Sequence, residues 1–415
     1  MHLRGFLKAG HTPSLLCAFL YFDISFMVWV LLGALANSIV PDERFRLTDA
    51  ERGLMLSIPL LGGSLLRLVL GVMTDRIGAR RTGLIGLTLT LLPLLLGWLW
   101  ADSFPKILIV GLLLGVAGAS FAAALPLASR WYPPQYQGVA MGIAGAGNSG
   151  TALATLFAPI LAESLGWQNV FAIAILPIAL TLGVFAVFAK DSPNQPAPKP
   201  LTAYASIFKQ SDTWWFCLLY SVTFGGFVGF AMFLNSFFFL QYEVPKVQAG
   251  YFATACVIAG SFLRPVGGYL ADRFGGVRML LVLYTAVGLA MLGLGALTTQ
   301  GISTPLLYGS ALTLFLGMGC LGMGNGAVFQ LVPQRFPKEI GVITGIVGAA
   351  GGVGGFFLPN LLLGLRQMTG SFFGGFLIFG LVAFACAGAI LYVSRLWEGT
   401  FVGTGGIAAP AEATA

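Results

Sequence analysis

Polar residues punctuate this chain at short intervals, and between them run apolar stretches of about twenty residues or more. Twelve such stretches can be drawn, at roughly 15–40, 51–74, 83–101, 106–129, 138–161, 168–189, 213–240, 248–271, 278–298, 304–332, 340–364 and 371–394. A helix of about 20 apolar residues crosses the hydrocarbon core of a bilayer. The pattern therefore predicts an all-α membrane protein with twelve transmembrane helices, spans 1 to 12. The stretch KDSPNQPAPKPLTAYASIFKQSD is polar and proline-rich and reads as a linker. It divides the chain into an N-terminal tail (1–14), a six-helix bundle (15–189), the linker (190–212), a second six-helix bundle (213–394) and a C-terminal tail (395–415). The tail GTFVGTGGIAAPAEATA has no strong pattern and predicts disorder. The first apolar run continues to Val40 without a small-residue cleavage pattern, so no removable leader is expected.

Composition agrees with the pattern. The 415 residues are 57% hydrophobic and only 9% charged, against about 25% charged in a soluble domain. The net charge of +7 need not imply nucleic acid. With both termini and the even-numbered loops on one side, that side holds fourteen Lys or Arg. The other holds six: Arg44, Arg46, Arg52, Lys106, Lys246 and Arg366. This bias places both termini in the cytoplasm, and the chain in an inner membrane with the lipid bilayer as its surroundings. The five cysteines are scattered without a CxxC, and the only histidines are His2 and His11. No metal site, cofactor or disulfide framework is expected. A membrane enzyme would need a nucleophile with its base, or paired carboxylates, and the spans offer neither. A receptor would need an output domain. Secondary transport remains.

The two halves repeat. GGSLLRLVLGVMTDRIGARR (62–81) returns as GSFLRPVGGYLADRFGGVR (260–278). In each, a lone arginine, Arg67 or Arg264, stands eight residues before an aspartate, Asp75 or Asp272. Eight residues of helix are about 12 Å. If the aspartates mark the membrane surface, both arginines lie near its midplane, where a charge is costly and marks a functional site. RWYPPQYQGVAMGIAGAGNSG (130–150) likewise parallels RFPKEIGVITGIVGAAGGVGG (335–355). Both repeats run in the same sense, as in a transporter whose halves rock about a midplane site.

GVMTDRIGARR resembles the loop motif of the major facilitator superfamily at Gly71, Asp75, Arg76, Gly78, Arg80 and Arg81. GIAGAGNSGTALATLFAP (142–159) and GIVGAAGGVGGFFLP (345–359) resemble the paired signatures of the nitrate/nitrite porter family. The resemblance covers all twelve spans and implies the major facilitator fold. It also implies a substrate-binding set: Arg67 and Arg264 as anion ligands, Asn148 as a polar contact, Tyr220 and Phe224 as an aromatic pair, and Phe121 as a ring over the anion. Gly351 stands where the second signature would repeat Asn148, so one amide is expected. Asp75, Arg76, Arg80, Asp272 and Arg273 are the expected cytoplasmic gate. A monomer is expected from this fold class.

The residue chemistry leads to the same substrate class independently. Nitrate is planar and spreads one charge over three oxygens. Guanidinium is a planar, permanently charged fork that grips two oxygens at once. Asp23 is the one acidic residue well inside a span. Two arginines and one aspartate leave a net positive charge that one monovalent anion neutralises and a dicarboxylate overshoots. The glycines of span 5 (142, 145, 147 and 150) have two open uses: close helix approach, or access of the anion to backbone. Asp23 is a candidate proton carrier, or else a fixed counter-ion for an arginine. The first role gives nitrate uptake by proton symport, toward which the lone carboxyl tilts the reading; otherwise the carrier exchanges nitrate for nitrite. Another small monovalent anion, such as formate, cyanate or a monocarboxylate, is the alternative substrate.

Overall fold

The computed structural model describes residues 6, 8–193, 206–336 and 340–407. Twelve helical segments follow the twelve apolar stretches. They are α1 (Thr12–Ile39), α2 (Asp49–Ile77), α3 (Ala79–Leu99), α4 (Phe104–Ser129), α5 (Pro134–Gly145 and Gly150–Leu165), α6 (Trp167–Phe188), α7 (Ser211–Tyr242), α8 (Lys246–Phe274), α9 (Gly276–Thr298), α10 (Thr304–Arg335), α11 (Ile340–Thr369) and α12 (Phe373–Trp397). Among the described residues, eleven are long and apolar enough to cross a membrane, two of them with a local interruption, at Val30 in α1 and at Ala119 and Ser120 in α4. The exception is α5, which a short 3-10 turn, Ala146–Ser149, cuts in two. Several helices outrun their apolar stretch by a few residues, and α1, α2 and α10 begin on a side-chain cap. At α2, Thr48 Oγ1 accepts from the Glu51 amide at 3.3 Å while Glu51 Oε2 accepts from the Thr48 amide at 2.9 Å. That reciprocal pair satisfies two otherwise orphaned donors.

The arginine-bearing helices end alike. Gly78 closes α2 at φ 93°, ψ 154° and Gly275 closes α8 at φ 94°, ψ 132°. Only glycine tolerates this region, so each Asp-Arg motif requires its glycine three residues after the aspartate. The turn feeds directly into α3 or α9. Lipid-facing side chains such as Leu99, Val187 and Val282 are more than 60% exposed, as a bilayer solvent permits. The most deeply buried helix is α7, packed against α11 within its half and against α1 across the molecule.

The halves meet tightly at the end away from the linker, here the far end. Asp49 of α2 pairs with Arg366 of α11 at 2.5 Å. The Ala50 amide donates to Gln367 Oε1 at 2.7 Å. Asn37 Nδ2 of α1 donates to the Asn235 carbonyl of α7 at 2.8 Å. Toward the linker end there are gaps among the described residues. On the arginine face of α2, one turn past Arg67, a Cβ at Gly71 would meet no described atom within 4 Å. The same holds at Gly142 and Gly145 of α5.

The C-terminal tail departs from expectation. Residues 398–407 fold back instead of fraying. The Gly405 amide donates to Glu398 Oε1 at 2.7 Å, and Gln330 Nε2 of α10 donates to the Gly406 carbonyl at 3.4 Å. Small residues dominate there because the tail must lie flat against the α8–α9 turn. Residues 408–415 of the expected tail and 194–205 of the expected linker lie outside the described residues.

Replacing Gly78 by alanine is expected to destabilise the protein by about 1–3 kcal/mol, the strain of a side chain in that backbone region. A thermal melt in detergent checks this, and an unchanged melting temperature contradicts it.

Candidate functional site

The site is built around Arg67, whose side chain is completely buried. The helix breaks in α4 explain how such a charge is tolerated. Where α4 is interrupted at Ala119 and Ser120, the Ala122 amide bonds the Ala119 carbonyl at 3.0 Å. The Gly118 carbonyl is thereby left available. It accepts from Arg67 Nε at 3.0 Å. Across the molecule the Gly348 carbonyl of α11 accepts from Nη1 at 2.6 Å. Aromatic faces surround the rest of the guanidinium: Phe224 at 4.8 Å, Trp29 at 5.1 Å and Phe121 at 5.5 Å from its carbon. Ring quadrupoles attract a cation at this range.

Arg264 approaches Phe121 as well. Its guanidinium carbon lies 5.7 Å from the Phe121 ring and 5.8 Å from Phe329. Two permanent charges, one from each half, therefore flank a single ring and stand within electrostatic reach of each other. Among the described residues, no ion pair involves either arginine. Their anchoring differs. Arg67 is fixed by two main-chain carbonyls, whereas Arg264 makes no hydrogen bond to a main-chain carbonyl among the described residues and keeps slight exposure. Each still has a buried, unpartnered N–H group, Arg67 Nη2 and Arg264 Nη1.

Tyr220 and Phe224 of α7 stack at 5.0 Å with an interplanar angle of 3°. The Tyr220 hydroxyl is buried, lies within reach of both guanidinium groups and has no well-aligned hydrogen bond. Gly351 makes the stack fit: a Cβ there would stand 2.7 Å from the Tyr220 ring and 2.9 Å from Phe224. The position where an asparagine is expected by analogy is therefore glycine for a steric reason.

Asn148 sits in the 3-10 turn of α5. Its carbonyl accepts from Ser261 Oγ of α8 at 3.3 Å, one turn before Arg264. Its side-chain amide is fully buried, and neither Nδ2 nor Oδ1 has a protein partner. Buried amides are ordinarily satisfied, and leaving one unpaired costs about 1–3 kcal/mol. The site thus gathers unsatisfied donors and positive charge, with no carboxylate paired to either arginine among the described residues, an arrangement suited to a small anion.

The expected residues Arg67, Arg264, Phe121, Tyr220 and Phe224 come together, and Asn148 borders them. Phe329 was not anticipated. It meets Phe121 edge-on at 5.9 Å and Tyr220 at 5.0 Å. It stands six residues before Arg335 in α10, whereas Phe121 stands nine before Arg130 in α4, so the repeat between the halves does not mark it. Trp29 carried no signal. Nor did the two carbonyls.

Of the two roles open to Asp23, proton carrier and counter-ion to an arginine, the second is not the arrangement found among the described residues. Asp23 Oδ1 accepts from Ser149 Oγ at 2.6 Å, and the carboxylate forms no ion pair among the described residues. The reason is packing. A Cβ at Gly150 would lie 1.7 Å from the Asp23 carbonyl, and Gly147 abuts Phe22, so α5 lies against α1 and captures the carboxylate with its own serine. Close approach is thus the use of these two glycines, while Gly142 and Gly145 face open space.

The residues expected to gate the linker end fasten helices within their own halves here. Asp75 pairs with Arg130 of α4 at 2.5 Å. The Arg80 amide donates to Asp191 Oδ1 at 2.9 Å, and its Nη2 to the Ala186 carbonyl at 2.7 Å. Arg76 is exposed. Asp272 is exposed beside Gln330, and Arg273 lies 5.5 Å from the Phe274 ring. Arg335, the counterpart of Arg130, is taken instead by Asp212 at 2.5 Å.

Replacing Gly351 by alanine is expected to displace the Tyr220–Phe224 stack and weaken binding of a small anion at this site by about tenfold or more, about 1.4 kcal/mol. Titration calorimetry on purified protein measures it. Unaltered affinity contradicts the role assigned to the stack.

Comparison with known proteins bears on this geometry. The Major Facilitator Superfamily profile matches residues 14–359. The chain is 34% identical over 374 residues to the nitrite extrusion protein of Bacillus subtilis strain 168, covering 90% of this chain and 91% of that one. It is 36% identical over 361 residues to the probable nitrate/nitrite transporter NarK2 of Mycobacterium tuberculosis, covering 86% and 89%. Among solved structures it is similar to a D-xylose-proton symporter, with a TM-score of 0.71 at 15% identity, covering 92% and 96%. That last likeness concerns the fold alone.

Proposed function

This chain belongs to the major facilitator superfamily and, within it, to the nitrate/nitrite porters, and from that premise we infer that it carries nitrate and nitrite across the inner membrane by alternating access. One observation carries the reading: a buried guanidinium from each half, both within 6 Å of the Phe121 ring, with no carboxylate paired to either among the described residues. Removing charge from water costs several kcal/mol per ion unless a partner compensates it. A monovalent planar anion between the two forks supplies that partner, with Tyr220 and Asn148 offering further donors and the rings excluding water.

The same charge balance favours exchange over net uptake. Asp23 is held by Ser149 and not by an arginine, so it does not cancel the arginine pair. Closing the halves around an empty site then leaves two like charges together in a low dielectric. Closing around nitrate or nitrite does not. The carrier therefore returns loaded, taking one anion in and the other out. The far end sealed and the gaps toward the linker end correspond to the inward-facing limb of the cycle, with both termini cytoplasmic. Asp75, Arg76, Arg80, Asp272 and Arg273 then act as gate elements when the linker end closes.

Reconstitution into liposomes tests this, with internal nitrite and a pH gradient imposed one at a time. Internal nitrite is expected to drive nitrate entry, and a pH gradient alone is expected not to. Asp23→Asn should retain exchange; abolition of a pH-driven uptake by this variant would instead establish proton symport. Arg67→Lys keeps the charge but loses the fork. It is expected to fold and to lose at least about 90% of exchange, and near-normal exchange would remove guanidinium geometry from the mechanism.

A further inference from the structure

Arg52, counted from the pattern as a far-side surface charge, is 2% exposed. It lies in the first turn of α2, fifteen residues before Arg67, or about 22 Å toward the far end. Asp49, the carboxylate within its electrostatic reach, is bound by Arg366 at 2.5 Å. The hydrogen bond that Arg52 makes is Nη2 to Asn37 Oδ1 at 3.3 Å, and its Nε is buried without a partner. Asn37 in turn donates across the seam between halves to the Asn235 carbonyl at 2.8 Å. The Asn235 amide and the Ser236 hydroxyl are both fully buried and unpartnered.

The far-end seam shares with the central site a buried guanidinium and an unsatisfied amide, and differs from it in holding a carboxylate. Two arginines share one aspartate, and unsatisfied amide and hydroxyl donors stand nearby. A latch alone does not account for Arg52: among the described residues the bonds that cross the seam toward this end involve Asp49, Asn37, the Ala50 amide and the Thr155–Thr254 pair, and Arg52 makes none of them. Arg52 sits behind them. Parting the halves at this end separates Asp49 from Arg366 and opens Asn37 and Asn235 to water. Arg52 then stands at the mouth of the route to Arg67 and Arg264, with an unused face of its guanidinium.

We propose that Arg52, with Asn37 and Asn235, forms an outer station for a small monovalent inorganic anion, which it captures before the central pair. The station rests on the anion-carrier reading given above. A positive charge at the mouth of a low-dielectric cleft raises the capture rate and makes it sensitive to ionic strength. It acts on entry from the far face and leaves entry from the linker face unchanged.

The test measures nitrate kcat/KM from each face separately, in proteoliposomes of defined orientation, at low and high ionic strength. For Arg52→Gln, kcat/KM from the far face is expected to fall about tenfold and to lose its salt dependence. The value from the linker face is expected to stay within about twofold of wild type, and Arg52→Lys should restore most of the far-face loss because the charge is kept. Should Arg52→Gln fail to fold, Asn37→Ala serves with the same expected asymmetry. An equal change from both faces, or no change from either, overturns the station while leaving the carrier reading intact. Absence of nitrate flux in the wild type overturns both.

Discussion

Two permanently charged guanidinium groups share one ring in the interior of a lipid-embedded bundle, and the rest of the molecule is arranged around that fact. Neither can shed its proton, and neither has a carboxylate partner among the described residues. Such charges persist in a low dielectric only if something compensates them. The protein supplies part of that compensation through main-chain carbonyls and ring faces. In the proposed cycle a bound anion supplies the remainder.

The architecture serves this purpose locally. The interruption of α4 releases the Gly118 carbonyl, and α11 brings a second carbonyl, that of Gly348, to Arg67. Arg67 is therefore a fixed pole that already touches both halves. Arg264 has ring neighbours and no main-chain carbonyl partner among the described residues, so it is the pole whose environment changes most when an anion arrives. Rigidity on one side and freedom on the other suit a carrier that must bind firmly and still release.

Much of this was legible in the residue order. The twelve helices could be read because a bilayer demands long apolar runs. The arginines could be read because an intramembrane charge stands out against them. Phe121, Tyr220 and Phe224 required analogy, since one ring among 34 phenylalanines carries no local mark. Phe329 and Trp29 were missed for that reason. The carbonyls of Gly118 and Gly348 were unreadable in principle, because every residue has one and only tertiary packing decides which is offered. Charge arithmetic that sums Asp23 with the arginines does not reveal that α5, drawn close by Gly147 and Gly150, brings Ser149 to its carboxylate. Arg52 misled, because a charge at a helix start reads as surface until the other half covers it.

The central claim is that a bound anion relieves the repulsion between the halves and lets them close. Spin labels placed at Ile77 and Phe274, exposed at the linker ends of α2 and α8, report the separation there by pulsed electron resonance on otherwise cysteine-free protein. Saturating nitrate is expected to shift the distance distribution toward shorter values, and Arg264→Gln is expected to remove the response. A distribution that nitrate leaves unchanged in the wild type would contradict the account.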